Sequence, residues 1–582
     1  MNSTLISTAP PVSTGPGLRA WLADRGVRVV AVTAAILVLV LIVYPLGRMF
    51  LRALFPSIEA PDILALLSEV VSTTWFWPAV VNTALVVGVS GLFAIVIAAI
   101  FAWINERTDA SMGWIGSFVP ILPLVVPAVA MAVGWVFLAS PRVGFINGIL
   151  SWLPFDVTVD VLTWPGLIFL YTLSLVPFAY VLLAAAFRNV DPSLEEASRI
   201  SGAGILRTLV KVSIPSVAPA IAGSAFLVIV MGFGLYSIPL IIGGRAGIDI
   251  LSVRLVRLMN FQYPPQLESA LVVGVIMSLP ILVAWYLQQR VLGGSRFATI
   301  SGRSHPQRIE LGAGRIIARV VLIGYLLITS LLPLGALLLV AFQTFWTPAI
   351  TPTGFTLDHI MRVLVQSPVA GAALRTSLAL GLIVGAATMV LAVLMTLVSR
   401  RLTQLGPRVG ALGRFIDGVT KLPVAFSNIV IALGFLVAFS GPPFYLNGTV
   451  LILVLCYFVL YIPHASIAAG SALSQVGKDV EEASAVSGAG EGRTFLRVLL
   501  PLMWPGLVTG WALVFVLIAG DLEAAVLLAT TKTPVIGFVI VDIWEYGTYG
   551  ALAAFVGVVT VLKGLVVIAL IFLSRQRFRR FT

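Results

Sequence analysis

The polar segment EEASRISGAG, residues 195–204, occurs a second time as EEASAVSGAG, residues 481–490. Each copy is followed by a hydrophobic residue and a proline, Ile214-Pro215 in the first and Leu500-Pro501 in the second. These matches all have the same offset of 286 residues (481 − 195). Matches at one fixed offset across half of a chain are typical of an internal duplication. We therefore predict two equivalent halves, each carrying one copy of the segment.

The composition indicates whether these halves fold in water or in a lipid bilayer. The chain is 59% hydrophobic and 10% charged, whereas a soluble domain carries roughly a quarter charged residues. Its apolar runs are about 20 residues long, enough to cross a bilayer core as helices. They predict an all-α polytopic membrane protein of about 12 transmembrane helices, built as two parallel six-helix repeats. The predicted spans are 27–46, 77–104, 113–138, 164–186, 215–242, 268–289, 317–342, 371–398, 415–440, 447–470, 502–527 and 551–574. The third is interrupted by Pro120, Pro123 and Pro127, so we expect kinks there.

The repeat offset and the spans together predict the domain organisation. A cytoplasmic tail (1–26) precedes the first repeat (27–290), whose polar loop is at about 190–215. A basic cytoplasmic linker (291–316) leads to the second repeat (317–574), with its polar loop at about 476–501, and a basic tail (575–582) follows.

The positive charges predict the orientation. Loops predicted to be external carry only eight of the 36 Lys and Arg residues: Arg48, Arg52, Arg142, Arg245, Arg254, Arg257, Arg362 and Lys532. Basic residues concentrate on the cytoplasmic side of membrane proteins, so both termini and both repeated loops are expected there. The net charge of +12 is explained by this bias, and no nucleic-acid partner is predicted.

Each repeated loop has the features of a rigid helix–turn–helix. Asp191 can cap a short helix that begins at Pro192, and Gly202 can end it because glycine adopts left-handed backbone angles at little cost. A second short helix is expected over 205–213, with Pro215 starting the next span. Connecting loops are usually short and unconstrained, so a loop repeated almost residue for residue indicates a docking surface. We expect its glutamates to meet an arginine on the docked partner.

This loop resembles the EAA loop of permease subunits of ATP-binding-cassette (ABC) importers. Ser198 and Ser484 stand where that family often has alanine, a small-for-small change. The resemblance implies ATPase-coupling residues in both loops: Glu195, Glu196, Ala197, Ser198, Gly202, Gly204 and Pro215, and then Glu481, Glu482, Ala483, Ser484, Gly488, Gly490 and Pro501. It also implies two copies of a separate ATPase that uses ATP and Mg, an external solute-binding protein, and the bacterial inner membrane. External acids that would meet the binding protein are Glu59, Asp62, Asp249, Asp542 and Glu545.

Two further motifs resemble one branch of that family. They begin at Phe297 (FATISGR) and at Gly520 (GDLEAAVLL). The branch includes importers of ferric iron, thiamine, polyamines and aminoalkylphosphonates. Ferric iron is the substrate we expect first, with the others as alternatives.

The sequence lacks the motifs of an enzyme. Gly477-Lys478 is followed by Asp479 rather than Ser or Thr, so no phosphate-binding loop is present and ATP hydrolysis is assigned to the partner. The three histidines are scattered and predict no metal site, and no cofactor is expected on this chain.

Four ionisable residues lie inside predicted spans: Asp521, Glu523, Lys563 and His464. Such groups are costly in a membrane and are candidates for the translocation path. The alternative for the acids is a structural ion pair with Lys563, and for His464 an ordinary interior position. An ion-coupled secondary transporter, which also has pseudo-symmetric halves, is a second possible class.

Overall fold

The computed structural model describes residues 25–55, 63–154, 157–293, 308–350, 354–404, 407–476 and 478–578. Several predicted features lie outside these residues. They are most of both tails, most of the linker with the motif 297–303, the external acids Glu59 and Asp62, and His305.

Helices make up the described chain, and its β-structure is limited to isolated bridges. We number the principal helices α1 Arg25–Leu54, α2 Phe76–Arg107, α3 Ala128–Ala139, α4 Trp164–Arg188, α5 Ala218–Gly234, α6 Leu267–Gly293, α7 Gly314–Phe342, α8 Pro368–Gln404, α9 Asn428–Phe439, α10 Val450–Ser474, α11 Leu500–Ala519 and α12 Tyr549–Phe578. Shorter helices include Ile63–Ser72, Trp114–Phe118, Phe145–Leu150, Pro192–Ile200, Ile205–Thr208, Leu251–Asn260, Pro407–Lys421, Lys478–Val486, Glu491–Thr494, Glu523–Leu528 and Ile536–Glu545. The fold class predicted from the sequence is confirmed.

Four of the twelve predicted spans are not single straight helices. Among the described residues, nine helices are long and apolar enough to cross a membrane, or up to eleven if each bent pair is one span. The third span is divided by a 3-10 turn at Leu122–Leu124, as its prolines predict. The ninth bends by 103° before α9, and the fifth by 72° before α5. The predicted fifth and eleventh spans also end early, at Gly234 and Ala519, because the backbone leaves the helix there.

The two halves exchange their first helices. Helix α1 of the first half packs against α9 of the second, and α7 of the second half packs against α3 of the first. Each contact places a proline from a Pro-Leu-Gly sequence over a glycine of the other half. A Cβ atom built on Gly134 would lie 2.5 Å from the Pro333 carbonyl oxygen, and one on Gly434 would lie 3.2 Å from that of Pro45. Small residues allow this close approach, which supplies packing energy where no hydrophobic effect operates between helices.

A second symmetric pair of contacts lies at the end of the bundle opposite the repeated loops. The hydroxyl of Thr83 on α2 accepts from the backbone N–H of Leu251 (3.0 Å), at the start of Leu251–Asn260. Ser377 on α8 does the same for Ile536 (2.8 Å), at the start of Ile536–Glu545. Polar side chains thus join helices in both halves, as is common in membrane bundles.

Because the exchanged helices pack so closely, one added methyl group at their contact should destabilise the protein. Gly134→Ala should destabilise the protein by about 1–3 kcal/mol, because α3 and α7 must separate to admit the new Cβ atom. Thermal unfolding of the purified protein in detergent measures this. Gly335→Ala on α7 is the control, since nothing lies within 4 Å of its added Cβ. Equal midpoints for the two variants would contradict the packing described.

Candidate functional site

The first repeated loop folds as its sequence predicts. Asp191 caps the helix Pro192–Ile200, its carboxylate accepting from the backbone N–H of Ser193 (3.0 Å). Hydrogen bonds from Ser193 also lower the pKa of Asp191. Gly202 ends the helix with a φ of 82°, in the left-handed region that favours glycine. The predicted second helix is Ile205–Thr208 followed by a π turn, and Pro215 lies in a short helix before the bend that leads to α5, so it does not start the span itself.

The second loop repeats this geometry. Its helices are Lys478–Val486 and Glu491–Thr494, separated by Gly488 with a φ of 77°. In both loops a serine hydroxyl joins the two helices. Ser198 meets Thr208 at 3.0 Å, and Ser484 meets Thr494 at 2.9 Å. The serines that replace the family's alanines therefore hold each loop in shape.

The first glutamate of each loop does not face outward. The Glu195 carboxylate accepts from Nε (3.0 Å) and Nη2 (2.5 Å) of Arg107, at the end of α2, and from the Ser213 hydroxyl (2.6 Å). The side chains of Arg107 and Glu195 are only 1% and 3% exposed. The expectation that Glu195 meets a partner's arginine is thus wrong, because the arginine belongs to this chain. The pair fixes the loop to α2.

The corresponding pair in the second loop is looser. Glu481 lies 3.3 Å from Arg400 and 3.6 Å from Arg401, and the Arg400 and Glu481 side chains are 29% and 30% exposed. The position of Ser213 is taken by Leu499, which cannot donate a hydrogen bond. The two loops thus have the same shape but differ in how firmly they are attached.

The beginning of the second half is anchored at the first loop. Ile309 donates its N–H to the carbonyl of Arg107 (2.8 Å), and its own carbonyl accepts from the N–H of Asp109 (3.0 Å). Leu311 donates to the Asp109 carboxylate (3.0 Å), and Arg319 on α7 donates to the Ala110 carbonyl (3.2 Å). The end of α2 therefore connects the first loop, through Arg107, to the helix exchanged from the second half.

The two loops expose the same kinds of residue at the same positions. Three apolar residues of the first loop occupy the same positions as three of the second, and all six are exposed: Leu194, Ile200 and Val210, and then Val480, Val486 and Leu496. Ile200 is 87% exposed and Val486 is 90% exposed. Glu196 and Glu482, the second glutamates, are exposed beside them, as are Ala197 and Ala483. Sequence reasoning grouped both glutamates of each pair together, whereas the structure separates their environments.

The acids of the predicted path lie where α11 ends. The Asp521 carboxylate accepts from the Tyr461 hydroxyl and from the backbone N–H groups of Ala524 and Ala525, each at 3.1 Å. It thereby caps the helix Glu523–Leu528. Glu523 accepts from the Asn428 amide at 2.9 Å. Neither acid makes an ion pair with Lys563 in the described structure, so the predicted structural pair is not formed.

Lys563 and His464 have other surroundings. The Lys563 ammonium lies beside Gly520, at the carbonyl end of α11, where the helix dipole favours a cation. The His464 ring lies 6.0 Å from that of Tyr461, and its Nδ1 atom is buried without a hydrogen-bond partner among the described residues. Within these residues, no three His, Cys, Asp or Glu side chains are grouped to hold a metal ion.

Comparison with known proteins decides the family. Residues 90–295 and 405–580 each match the family "Binding-protein-dependent transport system inner membrane component". The chain belongs to this family. One match falls in each half, so the predicted duplication and the resemblance to ABC importer permeases are confirmed, and the alternative of an ion-coupled secondary transporter is removed.

Several relatives cover most of the chain. The ferric transport system permease protein FbpB of Actinobacillus pleuropneumoniae is 23% identical over 90% of this chain and 75% of its own length. The putative ferric transport system permease protein FbpB 1 of Haemophilus influenzae is 24% identical over 86% and 77%. The putative 2-aminoethylphosphonate transport system permease protein PhnV of Salmonella typhi is 30% identical over 43% of this chain and 92% of its own. A crystal structure of a bacterial alginate ABC transporter aligns to 49% of this chain and 97% of its own, with 21% identity and a TM-score of 0.39.

The different attachment of the two loops can be tested by neutralising each glutamate. Glu195→Gln should cost about 3–5 kcal/mol, because it leaves the buried Arg107 without a counter-charge. Glu481→Gln should cost at most about 1 kcal/mol, as for an ordinary exposed pair. Thermal unfolding and hydrogen exchange of the loop amides measure both effects. Equal losses, or faster exchange in the second loop only, would contradict the account.

Proposed function

We propose that this chain is the transmembrane permease subunit of an ATP-driven importer and forms its translocation path. Each repeated loop docks onto one copy of a separate ATPase. The chain carries no phosphate-binding loop, so ATP and Mg belong to that partner. The observation that carries the proposal is the pair of matching exposed faces. Each presents three apolar residues and a glutamate on a rigid helix–turn–helix.

The attachment of the loops explains how docking would be transmitted. A face mounted on a flexible connection would absorb the movement of the ATPase. Here Arg107 and Glu195 join the first loop to α2, and Ile309 joins α2 to the second half. Movement of the docked ATPase would thus be passed to helices of both halves.

Orientation and delivery follow from the same proposal. The loops lie in the cytoplasm with both termini, and an external solute-binding protein docks at the opposite end. Asp542 and Glu545 are exposed there, one helical turn apart, and suit a basic rim on that protein. Asp249, predicted for the same role, is instead engaged by Arg254 and Arg257 of this chain.

Ferric iron is the substrate we propose. Two relatives that cover 90% and 86% of this chain are named as ferric transport permeases, and the fused two-half arrangement extends across both alignments. Aminoethylphosphonate and polyamines are the substrates of other relatives, named for PhnV and for the spermidine/putrescine permease PotB of Escherichia coli, which match smaller parts of the chain. Thiamine is the remaining alternative from the sequence.

The docking faces can be tested directly. The double variant Ile200→Asp, Val486→Asp should bind the co-expressed ABC ATPase at least about tenfold more weakly, since a buried hydrophobic anchor is replaced by a charge that must be desolvated. Co-purification and ATP hydrolysis of the complex measure the loss.

The control is Tyr263→Asp, an equally drastic change at a fully exposed residue at the other end of the bundle. It should leave ATPase binding unchanged. If the double variant binds and activates the ATPase as the unmodified chain does, these faces are not the docking sites.

A further inference from the structure

Two helices, one in each half, are interrupted at equivalent positions. Helix α5 ends at Gly234, and the backbone is extended at Leu235. Helix α11 ends at Ala519, before the separate helix Glu523–Leu528. Leu235 and Asp521 are equivalent positions of the two halves (521 − 235 = 286). Non-helical backbone inside a membrane protein is tolerated where it is buried in protein or lines a polar cavity, and transporters place substrate sites at such breaks.

Glu523 lies between these two interruptions. Its carboxylate accepts from Asn428 of the second half and faces the backbone N–H of Tyr236 in the first half. Tyr171, also from the first half, is close enough to the carboxylate to interact with it electrostatically, and its hydroxyl is 3.5 Å from the Leu235 carbonyl oxygen. Glu523 is thus a charged side chain at the boundary of the halves.

The two acids of this region, Asp521 and Glu523, differ in how much of the carboxylate remains free to bind a ligand. Asp521 is 6% exposed, and its two carboxylate oxygens together accept three hydrogen bonds. Glu523 retains accessible surface, and among the described residues no Lys, Arg or His nitrogen is ion-paired with it. A lone carboxylate inside a bundle is costly, and a passing cation would neutralise it.

A second group beside Glu523 also has unused binding capacity. Ser427, which precedes Asn428, is 2% exposed, and its hydroxyl has no hydrogen-bond partner. That hydroxyl lies against Gly234, at the end of α5, 3.5 Å from the position of an added Cβ atom. Buried hydroxyls are normally satisfied, so this unused one, facing the interrupted helix, remains able to bind a polar ligand.

We propose that Glu523, with the hydroxyl oxygens of Ser427 and Tyr171, contacts a positively charged solute as it passes between the halves. The proposal rests on the proposed importer function and narrows its substrate to cations. All the named groups bind through oxygen atoms, which suit hard metal ions and ammonium groups. The first half carries Ser237 at the position of Glu523, so only the second half supplies a charge to this site.

The test uses proteoliposomes that contain this chain, its ATPase and its binding protein. Ferric iron is supplied in one arm and putrescine in the other, and the readout is solute imported per ATP hydrolysed. Glu523→Gln keeps an acceptor for Asn428 and removes only the charge, so the ratio should fall at least about tenfold. Ser237→Ala, at the equivalent position of the first half, should import as the unmodified chain does.

Glu523→Asp separates charge from structure. It keeps the charge but shortens the side chain, which weakens the hydrogen bond to Asn428. The proposal predicts that the Asp variant retains import within about threefold. A purely structural role predicts the reverse order, with the Gln variant active and the Asp variant inactive. If the Gln variant does not fold, the Asp variant decides on its own, because inactive but folded protein overturns the proposal.

Failure of the broader function would look different. If the loaded binding protein does not stimulate ATP hydrolysis by the unmodified complex, the importer proposal itself is wrong. If it does, but the solute carries no positive charge or the Gln variant imports normally, only the role given to Glu523 is overturned.

Discussion

The close contact of a proline with a glycine, made once in each direction between the halves, is the constraint on which this structure depends. Pro45 lies on Gly434, and Pro333 lies on Gly134, so each half is completed by a helix of the other. Helices in lipid gain little from the hydrophobic effect and associate through such packing. The halves are therefore interlocked at these two contacts.

The same interlocking connects the repeated loops to helices of both halves. Helix α2 ends at Arg107, which holds the first loop through Glu195, and the following residues hold the start of the second half. The second loop has a half-exposed ion pair instead, but continues into α11 without the bend that precedes α5. The first loop is thus held by a buried ion pair, and the second by a partly exposed pair and a helix that continues into α11, while the exposed faces stay equivalent.

The sequence predicted the features that depend on local patterns. Helical spans and the caps at Asp191 and Gly202 follow from hydrophobic runs and from residue types with fixed backbone preferences. The exchange of first helices was missed because its signal has other offsets: 288 residues for the prolines and 300 for the glycines, against 286 for the loops. A search allowing for different loop lengths in the two halves could have found it.

Contacts between residues far apart in the chain could not be predicted from the sequence, for a physical reason. An apolar run shows no break at Leu235, because hydrophobic residues continue after it. Nor does a glutamate in a polar loop reveal that its counter-charge is 88 residues earlier on a different helix. Such pairings depend on how helices pack, and packing is a property of the whole bundle.

The central claim is that this chain transports a solute by coupling to an ATPase. The most direct measurement is ATP hydrolysis in nanodiscs containing the chain and its ATPase, with and without the binding protein loaded with ferric iron. The account predicts hydrolysis that rises when the loaded binding protein is added. An ATPase that does not associate with the chain, or whose rate is unaffected by any loaded binding protein, would contradict it.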